Sequence, residues 1–205
     1  DSITGVSCFG FSDGGIAASA TGGTPPYSYQ WDTAAGNQTT ALAINLIAGA
    51  YTLTVTDSNG CASTLTDTVR EPDTLILSIL DTIPVGCFGD STGTATVIPT
   101  GGTVQYSYLW NDPLPAQLTQ TATGLTAGTW TVTVTDSLNC ATTASVLITE
   151  PPLLSITTIQ TNVSCNGGSN GESTATTGGG MYPYVYVWND PPPVQLMSTV
   201  TGLTA

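Results

Sequence analysis

The chain has 205 residues and a formal net charge of −13, from 14 acids against a single base, Arg70, with no Lys and no His. That composition leaves no Schiff-base lysine, no imidazole base and no His-ligated metal. One cation does not neutralise a run of phosphates, which argues against nucleic acid and anionic lipid headgroups as partners.

Apolar residues make up 40 % and fall in alternating runs, so the chain is not disordered. About a fifth of it is Thr, a β-branched strand former. No apolar run approaches the ~18 residues of a membrane-spanning helix, so no direct membrane insertion is expected. The opening Asp1-Ser2-Ile3 has no signal-peptide character, which reads as a mature or excised segment.

In chain order, Val6-Ser7-Cys8 is followed by an inward row of Ile16, Ala18 and Ala20. TGGTPPYSYQW then places Tyr27, Tyr29 and Trp31 on one strand face. Leu46 ends a short strand before an Ala-Gly turn. In Tyr51–Thr56, Tyr51, Leu53 and Val55 share one face, and Thr52, Thr54 and Thr56 the other. A turn, Asp57-Ser58-Asn59-Gly60, leads to Cys61, and Glu71-Pro72 closes the segment.

The pattern then begins again. Trp31, Trp110 and Trp188 are 79 and then 78 residues apart, and Cys8, Cys87 and Cys165 have the same separations. TGGTVQYSYLW and TGGGMYPYVYVW repeat the Trp segment. LTAGTWTVTVTDSLNC, with Trp130, Val132 and Val134 on one face, repeats the strand before Cys61. Glu150-Pro151 repeats the closing pair. The expected domains are 1–72, 73–151 and an incomplete 152–205 that lacks its final strands. Each complete unit reads as six or seven strands in two packed sheets, so the fold class is all-β, tandem Ig-like sandwiches. Trp31, Trp110, Trp188, Tyr29, Tyr108 and Tyr186 are the expected core aromatics.

Cys8 to Cys61 and Cys87 to Cys140 are both 53 residues. The spacing assigns one disulfide to each complete copy, with the partner of Cys165 beyond the chain end, near position ~218. No CxxC and no His favours a metal instead. Such a pairing needs both cysteines at one pole of the sandwich, which an even number of intervening strands provides. Disulfides imply an oxidising compartment.

These motifs resemble the gliding-adhesin repeat, SprB-type, of Bacteroidota surface proteins. The resemblance rests on Val6-Ser7-Cys8, Gly22-Gly23, Tyr27, Tyr29, Trp31, Ala48-Gly49-Ala50-Tyr51 and Asp57-Ser58-Asn59-Gly60-Cys61. Val163-Ser164-Cys165 and Ile148-Thr149-Glu150-Pro151 carry it further along the chain. Trp130 stands where the family has Tyr, and Val85-Gly86-Cys87 where it has Val-Ser-Cys. The resemblance implies an extracellular or cell-surface array in adhesion, surface motility or a fibre, with other copies or repeats as partners. It also implies type IX export, although the chain shows no such C-terminal signal.

Other chemistry is sparse. The acids sit at turns and junctions, so no catalytic residue is expected. Asp13, Asp57, Asp90 and Asp136 lie in Gly/Ser/Asn-rich turns. Of these, Asp57 and Asp136 are weak calcium candidates against a turn-capping role, and no other cofactor is expected. Seven Asp-Ser/Thr pairs followed by an aliphatic residue or Thr resemble the Bacteroidota O-glycan acceptor. Their hydroxyls are Ser2, Thr33, Thr68, Thr74, Thr82, Ser91 and Ser137. Asn37-Gln38-Thr39 and Asn162-Val163-Ser164 fit the N-glycan sequon. Surface glycans are possible ligands, through Tyr182 or Pro191-Pro192-Pro193.

Overall fold

A computed structural model describes residues 2–111, 115–189 and 195–204. Pro191-Pro192-Pro193 lie outside the described residues. The chain divides into two compact units, residues 1–80, 96–120 and 131–145 in one, and 81–95, 121–130 and 146–205 in the other.

The first unit contains six strands from the first repeat. They are β1 (Ser2–Thr4), β2 (Gly14–Ala17), β3 (Ser28–Trp31), β4 (Leu42–Leu46), β5 (Gly49–Thr56) and β6 (Ala62–Val69). They form two three-stranded sheets, β1-β2-β4 and β3-β5-β6. In immunoglobulin notation these are A-B-E and C-F-G, the two faces of an Ig-like sandwich. Every pairing is antiparallel, with Ile3 opposite Ile16, Trp31 opposite Leu53 and Leu53 opposite Leu65.

The period-2 pattern sets the core. Ile16, Ala43 and Leu46 of one sheet meet Trp31, Tyr51, Leu53 and Val69 of the other. Tyr29, Val55 and Ala18 pack against them, half-buried. The alternate positions of β5 carry Thr, and Thr52 shares a hydroxyl hydrogen bond with Thr66 across the sheet (3.0 Å). Much of the Thr content therefore belongs to outward sheet faces.

Two side chains bind the ends of strands. The buried Trp31 donates its indole N–H to the Thr40 carbonyl (2.9 Å). Tyr51 at the start of β5 donates its hydroxyl to the Ile47 carbonyl four residues upstream (2.8 Å), the tyrosine corner of Ig-like strand F.

The second repeat has β7 (Ile76–Ile83), β8 (Gly93–Thr100), β9 (Ser107–Trp110), β10 (Thr121–Leu125), β11 (Gly128–Thr135) and β12 (Ala141–Ile148). Their orders, β10-β8-β7 and β12-β11-β9, reproduce those of the first repeat. Trp110, Val97, Val132 and Val134 are buried in the first unit. Val85, Ala95, Ala122, Leu125 and Ile148 are buried in the second. Trp130 replaces the corner tyrosine with its function kept, its indole N–H donating to the Thr126 carbonyl (2.9 Å).

In the third repeat, β13 (Ser155–Thr161), β14 (Gly171–Gly178) and β15 (Thr199–Leu203) form one sheet, β13-β14-β15. Val185–Trp188, the counterpart of β3, is not in a strand. Its ladder partner would be a counterpart of β5, which these 205 residues do not include. The expectation that Trp188 is a core residue is corrected for the same reason: it is half-buried where Trp31 and Trp110 are buried, while Tyr186 is half-buried as Tyr29 and Tyr108 are. Trp188 still donates to the carbonyl nine residues on, at Met197 (2.9 Å), as Trp31 does to Thr40.

Candidate functional site: the junction between repeats

The expected pairings Cys8–Cys61 and Cys87–Cys140 are corrected. The structure bonds Cys8 to Cys140, across 132 residues of sequence, and leaves Cys61, Cys87 and Cys165 as exposed thiols.

The reason lies in strand direction. The Cys8 loop sits at the pole where β6 ends, with the Val6 N–H donating to the Arg70 carbonyl (3.0 Å). Cys61 precedes β6 at the other pole, and an eight-residue strand spans about 25 Å. A disulfide tolerates a Cα separation of at most about 7 Å. Four strands, an even number, do separate the two cysteines. However, β3 pairs antiparallel with β5 and β4 with β2, so β3 and β4 both run toward the Cys8 pole. Residues 32–41 carry the chain back between them as an irregular return, with the Trp31 N–H on the Gln38 carbonyl (2.9 Å). That uncounted pass reverses the parity.

The linker then brings the Cys8 pole of the first repeat against the Cys140 turn of the second. Glu71 accepts from the Gly10 N–H (2.9 Å), tying the linker to the Cys8 loop. The Asp73 carbonyl accepts from Gly102 N–H (2.8 Å), tying the same linker to the second repeat. Cys8, Phe9, Phe11, Leu75, Asn139 and Cys140 line the small cleft that remains.

Both sides of the junction are preorganised. Asp136, buried at 4 % exposure, accepts the N–H groups of Thr103 (2.8 Å), Leu138 (2.9 Å) and Cys140 (2.9 Å). Burial alone pushes its pKa up, but the three N–H donors outweigh it and hold the carboxyl below its ordinary value. Asp57 makes the same contacts in the first repeat, to Thr24 (3.0 Å), Asn59 (2.9 Å) and Cys61 (2.9 Å). Its pKa is lowered first by the Thr24 N–H. Gly23 makes this possible: at φ +63°, a Cβ there would lie 2.9 Å from the Asp57 carboxylate.

On the cysteine loops, Asp13 accepts from Ser7 N–H (2.9 Å), and the Ser7 hydrogen bonds lower its pKa. Thr92 accepts from Gly86 N–H (3.1 Å) and Asn170 from Ser164 N–H (3.0 Å) at the equivalent positions. Sequence reading missed the carboxylate clamp of Glu71, although the recurrence of Glu-Pro at one register was its signal.

The calcium candidates Asp57 and Asp136 thus use their oxygens on three backbone donors each, which is the turn-capping role. Among the described residues, no group of three His, Cys, Asp or Glu side chains is placed to hold a metal.

The sign of the pH effect follows from the lowered pKa values. A carboxylate with a lower pKa folded than unfolded stabilises the fold above about pH 4 and loses that effect as pH falls through the folded value. The melting temperature should therefore drop on acidification from pH 5 toward pH 2. The Asp57→Asn variant should melt lower at pH 7 and show a shallower acid loss. A melting temperature that rises on acidification would contradict these contacts.

Strand order and core define the class of fold, tandem Ig-like sandwiches. The chain belongs to the SprB repeat family, which matches residues 1–36, 80–115 and 157–193, more than half of its length. That family is one of cell-surface adhesins, and a disulfide fits an extracellular protein.

Among solved structures, the chain is similar to the N-terminal eight Ig domains of the Down syndrome cell adhesion molecule. The identity is 13 %, the TM-score 0.33, and 88 % of this chain and 30 % of that chain are covered. A structure solved for Dscam isoform specificity shows 10 % identity and a TM-score of 0.26, with 87 % and 58 % covered. The chain spans less than two thirds of either. The Ig-like assignment rests on the strand order itself. A search of curated proteins finds no match.

Proposed function

We propose that the chain is part of a load-bearing bacterial surface stalk or filament that acts in adhesion or surface motility. The observation that carries this is the bond from Cys8 to Cys140. Tension applied outside that pair passes through the disulfide, so the strands between are bypassed and stay folded. The glutamate clamp and the fixed φ of Pro72 oppose bending at the same place. Other repeats of the same protein are the natural neighbours, and export by the type IX route follows from the family.

Exposed Ser2, Thr33, Thr68, Thr74, Thr82, Ser91 and Ser137 support O-glycosylation. Bulky sugars would guard exposed edge strands that have no Lys to do so. Asp32 and Asp136 spend their carboxylates on the backbone, so Thr33 and Ser137 are the weakest acceptors of the seven.

A second reading is a fibre subunit completed by a neighbour's strands. It is favoured by the open apolar groove of the third repeat, lined by Ile156, Ala175, Tyr184, Tyr186 and Trp188. Glycan binding through Tyr182, which is 84 % exposed, is a further possibility for the same region.

Immunogold labelling of intact cells that produce the chain is the test. Gold on slender projections is the expected result, and a regular helical lattice would favour the fibre. Label found only inside cells would overturn the proposal. The native chain should also exceed its residue mass by whole hexose or deoxyhexose increments.

A further inference from the structure

We propose that Cys8–Cys140 is one rung of a ladder, in which the first cysteine of each repeat bonds to the second cysteine of the repeat that follows it. Under this rule Cys87 and Cys165 take the second cysteine of a following repeat, and Cys61 takes the first cysteine of a preceding one. The occupant of the Cys61 surface is therefore another repeat of this family, docked in the head-to-tail register seen at the Cys8–Cys140 junction.

Three independent features carry this. First, the exposed thiols stand at the positions of the bonded pair, in the same local geometry. Asp57 holds the Cys61 N–H and Asp136 the Cys140 N–H, both at 2.9 Å. Glu150 accepts from Gly89 beside Cys87 (2.7 Å), as Glu71 accepts from Gly10 beside Cys8 (2.9 Å).

Second, the incoming linker makes the same contacts at the start of the second and third repeats. Gly102 N–H donates to the Asp73 carbonyl (2.8 Å) and Gly180 N–H to the Pro152 carbonyl (2.7 Å). A Cβ at Gly101 would overlap the Thr74 carbonyl, and one at Gly179 the Leu153 carbonyl. Their counterpart Gly22, also at positive φ, has nothing within 4 Å of such a Cβ. The glycine is thus placed for a crossing chain that is not among its contacts.

Third, the surface around Gly22 is an open groove of about 360 Å³, lined by Gly22, Gly23, Leu53, Asp57 and Cys61 among others. At the equivalent surface of the second repeat, Leu75 lies over Gly102, where a Cβ would come within 3.3 Å of the leucine. A Leu four residues after a Glu-Pro glutamate, next to a cysteine loop, is what fits this groove. Another repeat of the same family supplies both.

Bond formation removes two protons and two electrons from the paired thiols. A low-molecular-weight disulfide such as oxidised glutathione accepts them and is released as two thiols.

The test uses a lengthened chain in which residues 73–158 are repeated ahead of Asp1, so that the added first cysteine precedes Cys61 by the same 132 residues that separate Cys8 from Cys140, folded in a glutathione redox buffer. Free thiols are capped with N-ethylmaleimide before digestion and mass mapping. Cys61 should be lost from the capped set and found bonded to the first cysteine of the added copy, with Cys8–Cys140 retained. A capped Cys61, or a bond between the two cysteines of the added copy, would overturn the proposal.

Should the lengthened chain not fold, the 205-residue chain at high concentration in the same buffer decides. Links between copies should join Cys61 to Cys87 or Cys165. Cys61–Cys61 or Cys87–Cys165 links in proportion to exposure, or no link at Cys61, would overturn it.

Discussion

Cys140→Ser should lower the unfolding free energy of the 205-residue chain by up to about 5 kcal/mol, the chain-entropy value for a closed loop of this length. Cys8→Ser should do the same, and the double variant should cost no more than either alone, because both remove one bond. Cys61→Ser should be nearly silent, since that thiol is exposed and unbonded. Guanidinium unfolding without reductant measures all four. A large loss for Cys61→Ser would restore the pairing within one repeat. Stretching single molecules gives a second readout. Reduction should release about 450 Å of extra contour length, at about 3.4 Å for each residue between the bonded cysteines.

Trp31→Ala should cost about 3–5 kcal/mol, the range for emptying a large aromatic from a core. Trp31 is 1 % exposed, shares the core with Ile16 and Leu46 of the opposite sheet, and pairs with Leu53 of its own sheet. Its loss also leaves the Thr40 carbonyl without its indole donor. Trp188→Ala should cost far less, because that side chain is half-buried and the described residues of the third repeat form a single sheet. Equal losses at the two positions would mean that the third repeat is closed in solution. Thermal unfolding followed by near-ultraviolet circular dichroism distinguishes the cases.

Much of the fold is legible in one dimension. Alternation in Tyr51–Thr56 names the buried face of β5, and Tyr51 and Leu53 are indeed buried there. The repeated spacing of Trp31 and Trp110 marks two equivalent core positions, both 1 % exposed. The Ala-Gly turns after Leu46 and Leu125 fall between β4 and β5 and between β10 and β11. These signals survive because side-chain direction along a strand depends only on local period.

The junction was legible only in part. Two of the named cysteines do form a disulfide, but the partner of Cys8 is a repeat away. Spacing records how far apart residues are along the chain and not which pole each strand reaches. The return of residues 32–41, which lacks a strand pattern, decided the poles. Asp57 and Asp136 were visible as turn residues, yet their three N–H partners include Thr24 and Thr103, 33 residues upstream. No local motif encodes such a contact.

The numbers that open the sequence, 205 residues and a charge of −13 with one base, argue against phosphate-rich partners and leave no Lys or His for catalysis, and the period of 78–79 residues divides the chain into repeats. Composition, period and alternation settled that much, because each is a property of residue order alone. Tertiary structure decided where the repeats are joined. Strand direction sends Cys8 and Cys61 to opposite ends of one sandwich, and the Glu71 clamp brings the next sandwich to Cys8. A covalent bond forms between groups that meet in space, so the join belongs to the junction and not to the repeat.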